Sequence, residues 1–138
     1  MIKAEDLRLG DIVSTKIYDK VKLGVVSSIA MDTKGIHLLN IIDKQFRGYF
    51  VIDVEGVPLT PELLEKNAFK HEQHQKDSNS EWHDFYHYDL GINIVYEVAK
   101  KGIPFAVYLD GKKLREIQYA HELQHILWAL GLNAELKV

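Results

Sequence analysis

Residues 121–125 read His-Glu-Leu-Gln-His. Two imidazoles four residues apart on a helix share one face and can hold a zinc ion. The intervening carboxylate can then act as general base on the metal-bound water. The surrounding AHELQHILWAL is apolar, as it is in a zinc-peptidase helix. On this reading His121 and His125 are ligands and Glu122 is the base of a zinc-dependent hydrolase. A catalytic zinc takes a third protein ligand, and nothing in the sequence marks one. The extended form of the motif needs a glycine and a histidine where this chain has Trp128 and Gly131, and only thirteen residues follow His125. The competing reading makes His121 and His125 half-buried neighbours of Trp128, with no metal and no cofactor, and that reading leads.

The remaining histidines form no clear site. His71 and His74 fall in HEQHQKDSNS (71–80), which holds no apolar residue and reads as an exposed loop. His83 and His87 lie on one face of an expected strand, about 13 Å apart at four strand rises, too far to share a metal. A metal held by the 71–80 loop and His83 is a minor alternative, since histidine-rich tracts sometimes bind metal. The chain has no cysteine, which excludes disulfides, thiolate metal sites and a cysteine nucleophile. It also has no phosphate-binding glycine loop, no G-x-G-x-x-G and no G-x-S-x-G. Lys16, Lys20 and Lys22 cluster near an expected hairpin tip and could meet phosphates, but Asp19 sits among them. The net charge of −3 argues against a strongly electrostatic nucleic-acid binder.

The elements that would carry these residues follow from patterning. At 138 residues the chain suits one domain or two very small ones. Residues 7–17, 23–31, 36–42 and 49–54 read as short strands separated by turn signals at Gly10-Asp11, at 32–35 and at Arg47-Gly48. So many short strands suggest an SH3-like small barrel over residues 1–57. Thr60 and Pro61 start a short helix. Strands follow at 82–89, 92–98 and 104–109, with turns at 100–102 and Asp110-Gly111. A long helix is expected from about Arg115 to Leu130, stopped by Gly131. The fold class is therefore α+β, with residues 58–138 forming a three-stranded antiparallel unit that carries the long C-terminal helix.

The helical wheel gives that helix two apolar sides. Tyr119, Ala120, Leu123, Ile126, Leu127 and Leu130 make a core stripe. Leu114, Ile117, Trp128 and Leu132 make a second, which needs a cover from the N-terminal barrel or from a second copy of the chain. Monomer and homodimer both satisfy it. No apolar run is long enough to span a bilayer, and the first residues carry no signal-peptide pattern, so a cytoplasmic protein is expected.

Three segments, in order, carry a resemblance: MIKAEDLRLGDIV, VEGVPLTPELLEKNAF and LDGKKLREIQYAHELQHILWALGLNAEL, together about 40% of the chain. They resemble a family of small proteins from Bacteroidetes genomes and their prophages or mobile elements, marked by a Pro-Leu-Thr helix start and a Tyr-x-His-x-Leu-Gln helix. In that family the position matching His125 is often Asn, which implies that the H-E-x-x-H match is a local feature. The resemblance implies a cytoplasmic origin on a mobile element and carries no activity. The leading expectation is a non-enzymatic module acting through an unidentified protein partner. The rivals are the zinc hydrolase and a nucleic-acid accessory protein using the barrel lysines.

Overall fold

The β-branched stretch from Ile12 to Ile29 cannot run as one strand, because Tyr18 and Asp19 take positive φ (49° and 61°) and turn the chain back on itself. The computed structural model describes residues 1–29, 35–40, 48–51, 53–98 and 105–138. In it this two-residue turn joins β1 (Ile12–Ile17) to β2 (Lys20–Ile29), with Ile17 opposite Lys20. β3 (Ile36–Asn40) pairs with β2, β4 (Gly48–Val51) with β3, and β5 (Glu55–Gly56) with β1. The result is an antiparallel sheet of order β4-β3-β2-β1-β5. Among the described residues it is open, with β4 and β5 as its edges. Leu7, Val13, Val26, Ile36 and Val54 form its buried core.

A second unit comprises Leu59–Gln118 and Lys137–Val138. Its helix α1 (Pro61–Lys66) starts as expected, with Thr60 Oγ1 accepting the Leu63 N–H at 3.1 Å. Five strands follow: β6 (Lys70–Gln75), β7 (Glu81–His87), β8 (Ile92–Glu97), β9 (Phe105–Leu109) and β10 (Lys112–Ile117), paired antiparallel in the order β10-β9-β8-β7-β6. Phe85, Ile94 and Val107 sit opposite one another on one face and are fully buried, as are Ile92, Ile117 and Leu64 of α1.

Two expectations are corrected here. The sheet has five strands, not three. Residues 70–75 are a strand rather than part of a loop, because an edge strand needs only a backbone ladder on one side. Their polar side chains find partners on β7: Gln73 Nε2 donates to Glu81 Oε1 at 2.6 Å, and the Tyr86 hydroxyl donates to Glu72 Oε1 at 3.0 Å. Residues 112–117 are a strand rather than the start of the long helix. Asp110 and Gly111 (φ 48° and 80°) form a tight hairpin turn that lays β10 back along β9.

The helix α2 (Ala120–Ala129) therefore starts after Tyr119. Its end is the expected one: Gly131 takes φ 72°, and Leu132 N–H and Gly131 N–H donate to the carbonyls of Leu127 and Trp128. α2 belongs to the first unit, which comprises Met1–Pro58 and Tyr119–Leu136. The turns expected at 32–34, at Arg47 and at 100–102 lie outside the described residues. No described helix is long and apolar enough to cross a membrane.

Within the first unit, Tyr119 is clamped against the 55–58 segment. It forms a β-bridge with Pro58, and Ala120 N–H donates to the Val57 carbonyl at 2.9 Å. A Cβ on Gly56 would lie 2.5 Å from the Tyr119 ring. Gly56→Ala is therefore expected to lower stability by about 1–3 kcal/mol, the usual cost of overpacking. Thermal melts check this, and adding Tyr119→Leu to the Gly56→Ala chain should recover part of the loss. Strictly additive losses would show that the ring is not the obstacle.

Candidate functional site

Arg8, Leu9, Gly10 and Asp11 form a tight turn. Asp11 N–H donates to the Arg8 carbonyl at 3.2 Å, and Gly10 supplies the positive φ of 92°. The turn is tied to β2 by Gly10 N–H donating to the Val26 carbonyl and Val26 N–H donating to the Asp11 carbonyl. Asp11 is 2% exposed. A buried carboxylate is costly unless hydrogen-bonded, and here Oδ2 accepts both the Arg8 N–H at 2.8 Å and His125 Nε2 at 2.7 Å.

Gln124 of α2 reaches the same turn. Its Oε1 accepts the Ile12 N–H at 2.8 Å, and its Nε2 donates to the carbonyls of Gly10 and Ala134 at 2.9 and 3.0 Å. One amide thus ties together the turn, the start of β1 and the segment after α2. These pieces line a cleft of about 450 Å³ bounded by Arg8, Gly10, Asp11, His125, Trp128 and Glu135. At its rim the Trp128 indole is 59% exposed, with the Arg8 guanidinium 4.2 Å from the ring centroid.

The H-E-x-x-H residues take other work. Glu122 Oε2 accepts the Tyr119 N–H at 2.9 Å and so caps its own helix. A carboxylate only accepts, so His125 Nε2 carries a proton toward Asp11 instead of presenting a lone pair there. His121 is buried, stacked on Tyr119 with centroids 5.8 Å apart and edge-on to His125 at 5.6 Å. Among the described residues no group of three or more His, Cys, Asp or Glu side chains converges as a metal cage. The cleft lining also holds no serine or threonine for the Asp11–His125 pair to activate.

The second apolar stripe expected on the helix does not exist. Leu114 and Ile117 are on β10, Ile117 is buried, Leu114 and Trp128 are exposed, and Leu132 follows the helix end. Lys16 and Lys20 do flank the Tyr18-Asp19 turn and are exposed. His74, expected to be solvated, stacks on Trp82 with Nε2 3.1 Å from Asp84 Oδ2. The Tyr86 phenol is held well above its ordinary pKa by hydrogen bonds to Tyr88 and Glu72, so it stays protonated. Sequence reasoning missed Arg8, Asp11 and Gln124. The only signals were a carboxylate between Gly10 and Ile12 and an amide between Leu123 and His125, and nothing marked Arg8.

No protein-family model, curated protein or solved structure matches this chain.

Gln124→Leu keeps the bulk of the side chain but leaves the Ile12 N–H without an acceptor. It should destabilise the chain by about 1–3 kcal/mol, the cost of a stranded buried donor. Trp128→Ala, at an exposed ring, should leave the denaturation midpoint nearly unchanged. Chemical denaturation of both variants checks the pair, and equal losses would contradict the assignment of Gln124 as the anchor.

Proposed function

We propose that the first unit is a non-enzymatic interaction module, an open five-stranded sheet with SH3-like strand order, that captures an extended segment of a partner protein in the Arg8–Trp128 cleft. The observation that carries this reading is the exposed indole of Trp128 stacked with Arg8 at the rim of a cleft whose floor is held by Gln124, Asp11 and His125. Tryptophan and arginine are the side chains most enriched at binding hot spots, and a stacked pair on a fixed floor offers area with little ordering cost. The strand order β4-β3-β2-β1-β5 supports the SH3-like assignment. Arg8 at the rim and Glu135 in the lining suit a segment carrying both an acidic and a basic residue around an apolar one. The cytoplasmic, mobile-element origin implied by the sequence resemblance belongs to this same proposal.

The zinc-hydrolase alternative is weakened by the cap role of Glu122 and the bond from His125 to Asp11. The nucleic-acid alternative rests on the Tyr18 hairpin lysines and would show as salt-dependent DNA binding.

A peptide-display selection on the whole chain tests the module. Peptides selected on the native protein should lose at least tenfold in affinity toward Trp128→Ala and Arg8→Ala, the scale of a hot-spot truncation. They should bind Leu114→Ala unchanged. Selected peptides that ignore Trp128→Ala would overturn the reading.

A further inference from the structure

In the second unit, β6 and β7 pair with His71 opposite Phe85 and Gln73 opposite His83. Residues opposite one another share a face, so His71 and His83 are diagonal neighbours on the same side of the sheet. Their rings meet with centroids 4.9 Å apart and His71 Nε2 2.6 Å from His83 Nδ1. Neither ring is free to swing. His71 stacks flat on Phe85, centroids 4.5 Å apart and planes 16° apart, and His83 lies against Tyr96 of β8.

The outer nitrogens are also held. His71 Nδ1 lies 2.9 Å from Glu65 Oε1 on α1, and His83 Nε2 lies 3.1 Å from Glu81 Oε1, which also accepts from Gln73. A carboxylate offers only lone pairs, so each outer ring nitrogen carries its proton. A neutral imidazole has one N–H. With both rings neutral, the two inner nitrogens, His71 Nε2 and His83 Nδ1, are both lone-pair donors, and they point at each other. Lone pairs at that separation require a cation between them.

We propose that His71 Nε2 and His83 Nδ1 form a binding site for a divalent d-block cation of the zinc and copper class, with solvent completing its coordination. Imidazole nitrogen suits these ions. Ligand histidines are commonly fixed by a carboxylate on the other ring nitrogen, and Glu65 and Glu81 hold that place here. At zinc–nitrogen bonds of about 2.0–2.1 Å and a tetrahedral angle, the two nitrogens would stand roughly 3.3 Å apart, so the rings need open by only some tenths of an ångström. The side chains are 29% and 18% exposed, which leaves a path for the ion and its waters. Bound there, the ion would pin the edge strand β6 to β7. This site is separate from the cleft of the first unit and does not depend on the function proposed for it.

Zinc sulfate and copper sulfate, each titrated into the whole apo chain by calorimetry, test the site. One saturable equivalent is expected, with a melting temperature that rises with ion concentration. Imidazole NMR signals of the native protein should shift at His71 and His83 first, which needs no variant. His71→Ala and His83→Ala should each abolish that equivalent, and Glu65→Gln should weaken it about 10–100-fold. His74→Ala and His125→Ala should leave that equivalent in place. No saturable equivalent would overturn the proposal and leave a shared proton as the cation between the rings. So would an equivalent lost in His74→Ala or His125→Ala instead.

Discussion

The Gln124 side chain is the constraint on which the first unit's cleft depends. It is 3% exposed and spends its acceptor on the Ile12 N–H and both amide protons on the carbonyls of Gly10 and Ala134. An amide in that position can neither be solvated nor be replaced by an apolar group without stranding backbone partners. Its bonds reach 112 and 114 residues back along the chain, so they register α2 against the start of β1. That registration brings the next residue, His125, to Asp11, and Trp128 over Arg8 almost one turn after that. The spacing 124, 125, 128 on a helix and 8, 11, 12 on the turn and strand form one interlocked set.

In the same set, the residues of a five-residue pattern with metal-site spacing make contacts within the fold. The chemistry of H-E-x-x-H requires both imidazoles to present lone pairs to one point and the glutamate to stand beside it. Glu122 is the third residue of its helix and closes back on the Tyr119 N–H. His125 Nε2 is committed to a carboxylate already fixed by the Arg8 N–H. Identity and spacing of residues restrict what chemistry is open to a helix. The direction in which each proton points decides which chemistry is used, and that depends on residues more than a hundred positions away.

Much of the fold was legible locally. The hairpin tip among Lys16, Lys20 and Lys22, the Thr60-Pro61 helix start, the strand runs at 82–87 and 92–97, and the Gly131 stop all act through backbone conformation within a few residues. What was not legible was non-local. β6 has no apolar residue and is a strand only because β7 offers a ladder and matching side chains. β10 looks helical by its periodicity. Its state is set by the two positive φ values at Asp110 and Gly111, which place it beside β9 before any helix can start. Of the cleft, Trp128 and His125 could be singled out from the helix, but Asp11 and Gln124 could not, because their significance lies in being paired with each other's backbone neighbourhood. A link between the 71–80 segment and His83 was open to the sequence, but its choice of His71 was not, because the two meet only through a strand that composition did not announce.

The chain order gives this arrangement a folding logic. The first unit is interrupted: it leaves off at Pro58 and resumes at Tyr119, while residues 59–118 form a unit of consecutive antiparallel hairpins. Contacts of the second unit are short-range, so it can form early. Contacts across the break in the first unit, Gln124 to Ile12 among them, require the sixty-residue segment 59–118 to be looped out between Pro58 and Tyr119, an entropic cost of about 3–4 kcal/mol for a flexible chain. The ends of the inserted unit are joined by Leu59 N–H donating to the Gln118 carbonyl at 2.9 Å. Next to them, in the first unit, Pro58 bridges Tyr119 and Ala120 N–H meets the Val57 carbonyl. Once the second unit has closed its own ends, Pro58 and Tyr119 are already neighbours, and the closure cost is removed before α2 has to find β1. The tight seating of Tyr119 over Gly56 then sets the angle at which α2 leaves. The small residue at 56 and the pairing at 58 and 119 thus let a discontinuous unit, and the cleft it carries, assemble with the cooperativity of a continuous one.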